Sequence, residues 1–394
     1  MLTRLECVKS SIIRAIVLKS IFTVEETQPV HFMTNSKTKV PFFDRDTTSI
    51  IKGIALIMMF VYHFFAFPIW WGRGISYSLI EKLSLYFGPS LQLCVPIFCF
   101  ITGYFYFFNK SKSYKYSFFK ITDILITYWV VFFLFAIIAT VFVEYNYAFW
   151  NFIAECFALK RPTMYFCWYV NFYIIFILLL PLITKIMSKD IHIDLFLSLI
   201  LIPNIFRVSG HFVNNSIASE LIRNQEYWLS CVLIGYVWAN YGLFEKLLYV
   251  NRRLIKNEKM NIILIVITAF CVSFGRVVVS SLSLKFKYLP GISINMDVAY
   301  TPIFIYAVVY ICNTVDVKMI KKVLIIIGKY SLLMWFVSCI FFNNCKNIFQ
   351  PILYLPRNPA LVTIWGLFMC FSVSFLLDKV IKKLQKYKNK LLRF

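Results

Sequence analysis

The chain contains repeated runs of about twenty apolar residues, and this feature restricts its fold more than any other. A helical run of that length crosses the roughly 30 Å hydrocarbon core of a bilayer. Hydrophobic residues make up 60% of the 394 residues and charged residues only 15%, whereas about a quarter of a soluble globular domain is charged. Because a soluble core does not need such runs, the sequence predicts an all-α integral membrane protein.

Ten apolar segments are interpreted as transmembrane helices. The fifth and eighth segments are short for a complete crossing. The ten segments cover approximately residues 51–71, 88–108, 121–143, 167–187, 191–206, 227–243, 260–283, 298–312, 323–343 and 361–378.

These segments divide the chain into three parts. We predict a cytoplasmic N-terminal segment over residues 1–49, a transmembrane domain over 50–380 and a basic cytoplasmic tail over 381–394. Residues 1–32 are interpreted as either an upstream extension or a surface helix, and we assign them no chemistry. The tail is interpreted as an amphipathic anchor on anionic lipid.

Lysine and arginine residues are distributed unequally between alternate loops. If the N-terminus lies inside, the predicted cytoplasmic segments hold 28 of these 41 residues and the outer loops hold 10. Basic residues concentrate on the cytoplasmic side of membrane proteins. The pattern therefore predicts that both termini lie in the cytoplasm, and it explains the net charge of +23 without nucleic-acid binding.

The 11 cysteines do not indicate a metal centre. Most of them lie inside apolar runs, where cysteine behaves as a small hydrophobic residue. No two are spaced as C-x-x-C, and the four histidines do not cluster with them. Structural zinc sites require such spacings, so we predict no metal site.

The first predicted helix carries two ionisable side chains, Lys52 and His63. Their separation of eleven residues is close to three helical turns, or about 16 Å along the axis, so both face nearly the same way. Ionisable residues inside a bilayer are costly and often functional. We expect both to line one side of a channel, with Lys52 at the inner mouth and His63 near mid-membrane. The alternative is a histidine that only packs.

Two further groups of polar and aromatic residues are candidates for function. Thr102, Gly103 and Tyr104 stand near the end of the second segment, where the glycine allows close approach of a ligand or a neighbouring helix. Trp168 and Tyr169 open the fourth segment. Such aromatic residues form membrane-interface belts or stack on sugar rings, and the sequence leaves both alternatives open.

Charged residues in the later helices add to this set. Arg276 lies deep in the seventh segment and requires either an acidic partner or water. Lys329 follows Gly328 near the predicted cytoplasmic end of the ninth segment.

Four blocks of the sequence, in order over roughly residues 45–340, resemble the membrane-bound acyltransferase 3 family, bacterial proteins that O-acylate cell-surface glycans. The resemblance implies about ten helices in the bacterial cytoplasmic membrane. It also implies an acyl-CoA donor, acetyl-CoA by default, that enters from the cytoplasm, no bound cofactor, and an acceptor hydroxyl on a surface or capsular polysaccharide or its lipid-linked precursor. The blocks are RDTTSIIKGIALIMMFVYHFF, VPIFCFITGYFYF, WYVNFYIIFILLLPLI and IGKYSLLMWF.

The resemblance also assigns roles to individual residues. The family's motif of a basic residue, ten residues and a histidine corresponds to Lys52 and His63, and its S/T-G-Y motif corresponds to Thr102–Tyr104. We expect His63 to act as a general base, with Thr102 or Tyr104 orienting it or stabilising the oxyanion. The alternative is that His63 itself takes the acyl group as a covalent intermediate. The candidates are His63, Thr102 and Tyr104 for catalysis, Lys52, Lys120 and Lys329 for donor binding, and Trp168, Tyr169 and Arg276 for acceptor binding.

Two positions depart from the family's pattern. Many relatives have a second basic residue three positions after the one matched by Lys120, and this chain has Asp123 there. Relatives often carry a histidine ten residues after the glycine of the ninth helix, and this chain has Ser338. These departures keep an inactive membrane scaffold among the alternatives, and a transporter of a glycan or small molecule is the other.

Overall fold

The computed structural model describes residues 42–66, 88–161, 163–164, 166–187, 190–285 and 295–391. Residues 1–32 and the last five residues of the predicted first helix lie outside this part of the chain. Within it the secondary structure is helical and contains no strand, so the prediction of an all-α fold is confirmed.

Fourteen helices account for nearly all of the described residues. The sixth contains a π-helical stretch over Leu197–Leu201. In chain order they are α1 Arg45–Phe65, α2 Cys94–Phe108, α3 Tyr114–Val143, α4 Phe149–Cys156, α5 Trp168–Ile186, α6 Ile191–His211, α7 Ser216–Tyr241, α8 Leu243–Leu254, α9 Glu258–Lys285, α10 Asp297–Thr314, α11 Lys318–Lys329, α12 Ser331–Ser338, α13 Lys346–Leu353 and α14 Pro359–Leu391.

Seven of the described helices are long and apolar enough to cross a membrane. These are α1, α2 with the turn that precedes it, α3, α5, α6, α9 and α14. Helices α11 and α12 form an eighth candidate span, bent by 65°. Helices α7 and α10 occupy the remaining two predicted segments without meeting this criterion. The chain is therefore a multi-pass membrane protein, and the count of ten crossings stays a prediction.

Helices α2 and α7 touch through their backbones at two glycines. A Cβ atom on Gly103 would lie 1.7 Å from the carbonyl oxygen of Val232, and one on Gly235 would lie 2.1 Å from that of Phe100. Small residues allow such contacts between membrane helices. Gly103 is therefore a helix-packing residue, and its contact fixes α2 and with it the neighbouring Thr102.

Helices α1 and α11 touch in the same way. A Cβ atom on Gly328 would lie 1.7 Å from the carbonyl oxygen of Ser49, and one on Gly53 would lie 2.4 Å from that of Leu324. The side chain of Asp44 caps α1 by accepting a hydrogen bond of 2.8 Å from the backbone of Thr47. These contacts hold the first turns of α1, which carry Lys52, beside the end of α11.

The two described ends of the chain lie at the same end of the helical bundle. The backbone N–H of Phe42 donates a 2.8 Å hydrogen bond to the hydroxyl of Tyr104, at the end of α2. Near the end of α14, Lys388 binds Asp123 in the first turns of α3. This arrangement agrees with termini on one side of the membrane, and the assignment of that side to the cytoplasm stays a prediction.

Candidate active site

A cavity of about 370 Å³ lies where the first turns of α1 and α3 meet α2, α5, α12 and α14. Its surface combines basic, hydroxyl-bearing and aromatic side chains. The residues that give it this character are Lys52, Thr102, Lys120, Asp123, Tyr169, Tyr173, Ser331, Trp335 and Gln385.

Four of the predicted site residues meet in this cavity, namely Lys52, Thr102, Lys120 and Tyr169. A second cavity, of about 430 Å³, is lined by Lys52 and Lys329. Lys52 thus borders both cavities. The structure therefore brings all three predicted donor-binding lysines to one region of the bundle, although they come from α1, α3 and α11.

Aromatic rings form one wall of the first cavity. The ring of Trp335 lies 5.2 Å from that of Tyr169 and 6.4 Å from that of Phe98, measured between centroids. The Nε1 atom of Trp335 is buried and has no hydrogen-bond partner among the described residues.

The span formed by α11 and α12 bends by 65° beside both cavities. Ser331, after the bend, lines the first cavity, and Lys329, before it, lines the second. Interrupted helices at membrane depth are tolerated where they are buried in protein or face a cavity. Broken helices are also a common way to build substrate sites inside membranes.

His63 lies at the other end of α1, among aromatic rings. Its imidazole stacks on the ring of Phe166, with 4.0 Å between centroids and 15° between planes. The ring of Phe342 lies 6.4 Å away. The Nδ1 atom is buried and has no hydrogen-bond partner among the described residues.

The structure differs from the prediction that one channel joins Lys52 and His63. The two residues share a face of α1 as expected, but the helical rotation also places Met59 on that face between them. Met59 and the adjacent Leu56 are buried by packing. Side-chain packing thus separates the cavity at Lys52 from the imidazole, and His63 lines neither of the two cavities.

The hydroxyls expected to orient His63 have other partners. Tyr104 is buried, accepts the hydrogen bond from Phe42, and stacks on the ring of Phe43 at 4.7 Å. The hydroxyl of Thr102 donates a 2.8 Å hydrogen bond to the carbonyl of Phe98. Tyr104 thus holds the segment before α1, and Thr102 faces the cavity rather than the imidazole.

The predicted acceptor-binding residues are divided between different environments. Tyr169 lines the first cavity, whereas Trp168 stacks on Trp228 with 5.9 Å between centroids. Arg276 makes a two-pronged ion pair with Asp297, with N–O distances of 2.6 and 2.9 Å. Arg276 therefore has the acidic partner that its depth in the helix requires.

The two departures from the family's pattern also have partners. Asp123 accepts a 2.5 Å hydrogen bond from the Nζ atom of Lys388, and Ser338 donates a 2.7 Å hydrogen bond to the carbonyl of Trp335. The acid at position 123 is thus neutralised from the far end of the chain.

Sequence reasoning missed the contribution of the tail to this site. Gln385 lines the cavity, and Lys388 has 10% of its side chain exposed. At these two positions the tail packs on protein, a contact that the interpretation of the tail as an interfacial anchor did not include. A signal was present in the sequence, because Ile381, Gln385 and Lys388 follow the i, i+4, i+7 spacing of one helical face.

Comparison with protein families gives one match. The model described as the acyltransferase domain of the acyltransferase 3 type covers residues 48–379. The match includes Lys52, His63 and the cavity residues as far as Trp335, and it ends before Gln385. Comparisons with curated proteins and with solved structures found no match.

Proposed function

Because the chain belongs to the acyltransferase 3 family, we propose that this membrane acyltransferase transfers an acyl group from acyl-CoA to a hydroxyl of a glycan. By the resemblance described above, the acyl group is acetyl, the acceptor is a surface or capsular polysaccharide or its lipid-linked precursor, and the membrane is the bacterial cytoplasmic membrane. No bound cofactor takes part in this scheme.

The observation that carries the proposal is the cavity that joins Lys52 and Lys120 to an aromatic wall. Coenzyme A bears several phosphates, which lysine side chains attract and bind through charge-assisted hydrogen bonds. Its pantetheine arm is slender and only moderately polar, and aromatic side chains with a few polar groups suit such a ligand. In this scheme the arm lies along the rings of Tyr169 and Trp335.

His63 supplies the proton chemistry in this scheme. The imidazole removes the proton of the acceptor hydroxyl while the hydroxyl oxygen attacks the thioester carbonyl carbon. The C–S bond then breaks, the ester remains on the acceptor, and the departing thiolate takes up the proton. General-base assistance of this kind contributes about 10²–10⁴-fold to a rate.

The thioester must pass Met59 to reach His63, since the two sites lie about 16 Å apart along α1. Methionine is flexible and adapts to irregular spaces, so a rotamer change can open this path while the helices stay in place. The stacked pair of Trp168 and Trp228 is the aromatic surface we propose for the acceptor, because sugar rings stack on such residues.

The direct test uses purified full-length protein in a bilayer mimic with acetyl-CoA and a membrane extract that contains the acceptor. We expect release of free coenzyme A, measured with a thiol reagent, and a matching mass increase on the glycan by mass spectrometry. Coenzyme A binding without release, together with movement of the glycan across the bilayer, would instead support a transporter and contradict the proposal.

A further inference from the structure

The end of α14 extends the site beyond the region that the family match covers. This helix has 33 residues, which at 1.5 Å each make about 50 Å, well over the roughly 30 Å of a hydrocarbon core. Its last turns lie against the first turns of α3. Gln385 lines the cavity, and Ile381 one turn earlier is 5% exposed.

Lys388 is held differently from the neighbouring lysines. Its Nζ atom lies 2.5 Å from Oδ1 of Asp123 and 4.7 Å from the centroid of the Phe119 ring. Only 10% of its side chain is exposed, whereas Lys386 and Lys390 are exposed on the same helix. Lysine is rarely buried unless it is paired. Lys388 is both buried and paired with Asp123, which distinguishes it from the two exposed lysines beside it.

The pair matters because Asp123 lines the cavity together with Lys52 and Lys120. An unpaired carboxylate there would repel phosphate groups and would also compete for the two lysines. Lys388 removes this repulsion, because it pairs with the carboxylate from the side of α14.

We propose that the C-terminal end of α14 is part of the donor site, with Lys388 as a positioning residue that neutralises Asp123 and so lets the cavity hold the phosphates of coenzyme A. This inference rests on the proposed function, since it assumes an acyl-CoA donor. It goes beyond that function because residues 380–391 lie outside the family match.

The test measures coenzyme A binding by calorimetry on the full-length protein in a bilayer mimic. We expect Lys388→Ala to weaken binding by about tenfold, the effect of roughly 1.4 kcal/mol, because Asp123 is then uncompensated. Adding Asp123→Asn in the same chain should restore most of the affinity, and Lys388→Arg should keep it. The exposed neighbour gives the matched control, and Lys386→Ala should stay within twofold of the parent.

The outcomes separate this inference from the proposed function. Parent protein that fails to bind coenzyme A would overturn both. Parent protein that binds, together with equal binding by Lys388→Ala, would overturn the role of Lys388 alone. Loss of binding that Asp123→Asn does not restore would show that Lys388 only supports the fold, and this too would overturn the inference. The double variant keeps the test valid if the single variant folds poorly.

Discussion

The two ends of α1 contrast in their surroundings. At one end Lys52 is half-buried and borders two cavities. At the other end His63 stacks on Phe166 among aromatic rings, and buried Met59 lies between the two. Under the proposed function this contrast divides the work along one helix. The open, basic end at Lys52 receives the charged donor, and the closed end at His63 keeps water from the reacting atoms.

The largest effect should come from the closed end. We expect His63→Ala to lower the rate of acyl transfer by about 10²–10⁴-fold, because the acceptor hydroxyl then loses its general base. Release of coenzyme A under saturating acetyl-CoA measures this loss. The control is His211→Ala, at an exposed histidine near the end of α6, which should retain the parent rate. A His63→Ala protein as active as the parent would contradict the assignment.

The open end should affect donor binding instead. We expect Lys52→Ala to raise the KM for acetyl-CoA by roughly 10–100-fold, the range for loss of a hydrogen bond to a charged group of about 1.5–3 kcal/mol, with a smaller change in kcat. Steady-state kinetics separate the two constants. Lys318→Ala serves as the control, since that side chain is 80% exposed. An unchanged KM would remove Lys52 from the donor site.

The position of the open end depends on backbone contact, and Gly328→Ala tests this. The added Cβ would meet the Ser49 carbonyl oxygen at 1.7 Å, so α1 and α11 must separate at a cost of about 1–3 kcal/mol or more. This loss of stability should lower the melting temperature of Gly328→Ala in a thermal-shift assay. The control is Gly210→Ala, in which the added Cβ would lie 3.5 Å from the nearest neighbouring atom. This variant should have the same melting temperature as the parent protein. Equal melting of both variants would show that the contact is not needed.

The smallest effect is expected at Tyr104. Tyr104→Phe removes the acceptor of the Phe42 N–H and should cost about 1 kcal/mol of stability. The turnover rate should change by less than about threefold, because the hydroxyl does not contact His63. Parallel melting and turnover measurements would test this. A loss of turnover with unchanged melting would return Tyr104 to the catalytic group.

Much of the fold followed from local sequence. Apolar runs of membrane length gave the positions of the helices, and the family resemblance gave Lys52, Thr102, Lys120 and Tyr169, which do share a cavity. These features depend on residues close in the chain or on motifs of fixed spacing. The bend between α11 and α12 was not predicted, because the apolar residues on both sides of Lys329 were interpreted as one span.

The features of the site that the sequence did not predict depend on contacts between residues far apart in the chain. Asp123 and Lys388 are 265 positions apart, and no local pattern pairs an acid in one helix with a lysine in another. Tyr104 has its partner in a backbone N–H 62 positions away, and a backbone group carries no sequence signature. The burial of Met59 likewise depends on which helices pack around α1.

The glycine contacts between α1 and α11 have a consequence for substrate range. Gly53 and Gly328 bring the backbones of α1 and α11 into contact beside Lys52. Since glycine has no side chain, no substitution by a smaller residue can widen the cavity at this contact. In the proposed scheme the thioester reacts at His63, so engineering of the acyl-chain preference must act on the rings beside that imidazole, where Phe166 and Phe342 offer volume that a smaller residue would release. Longer acyl chains should become acceptable through smaller residues beside His63 and not by widening the gap between α1 and α11.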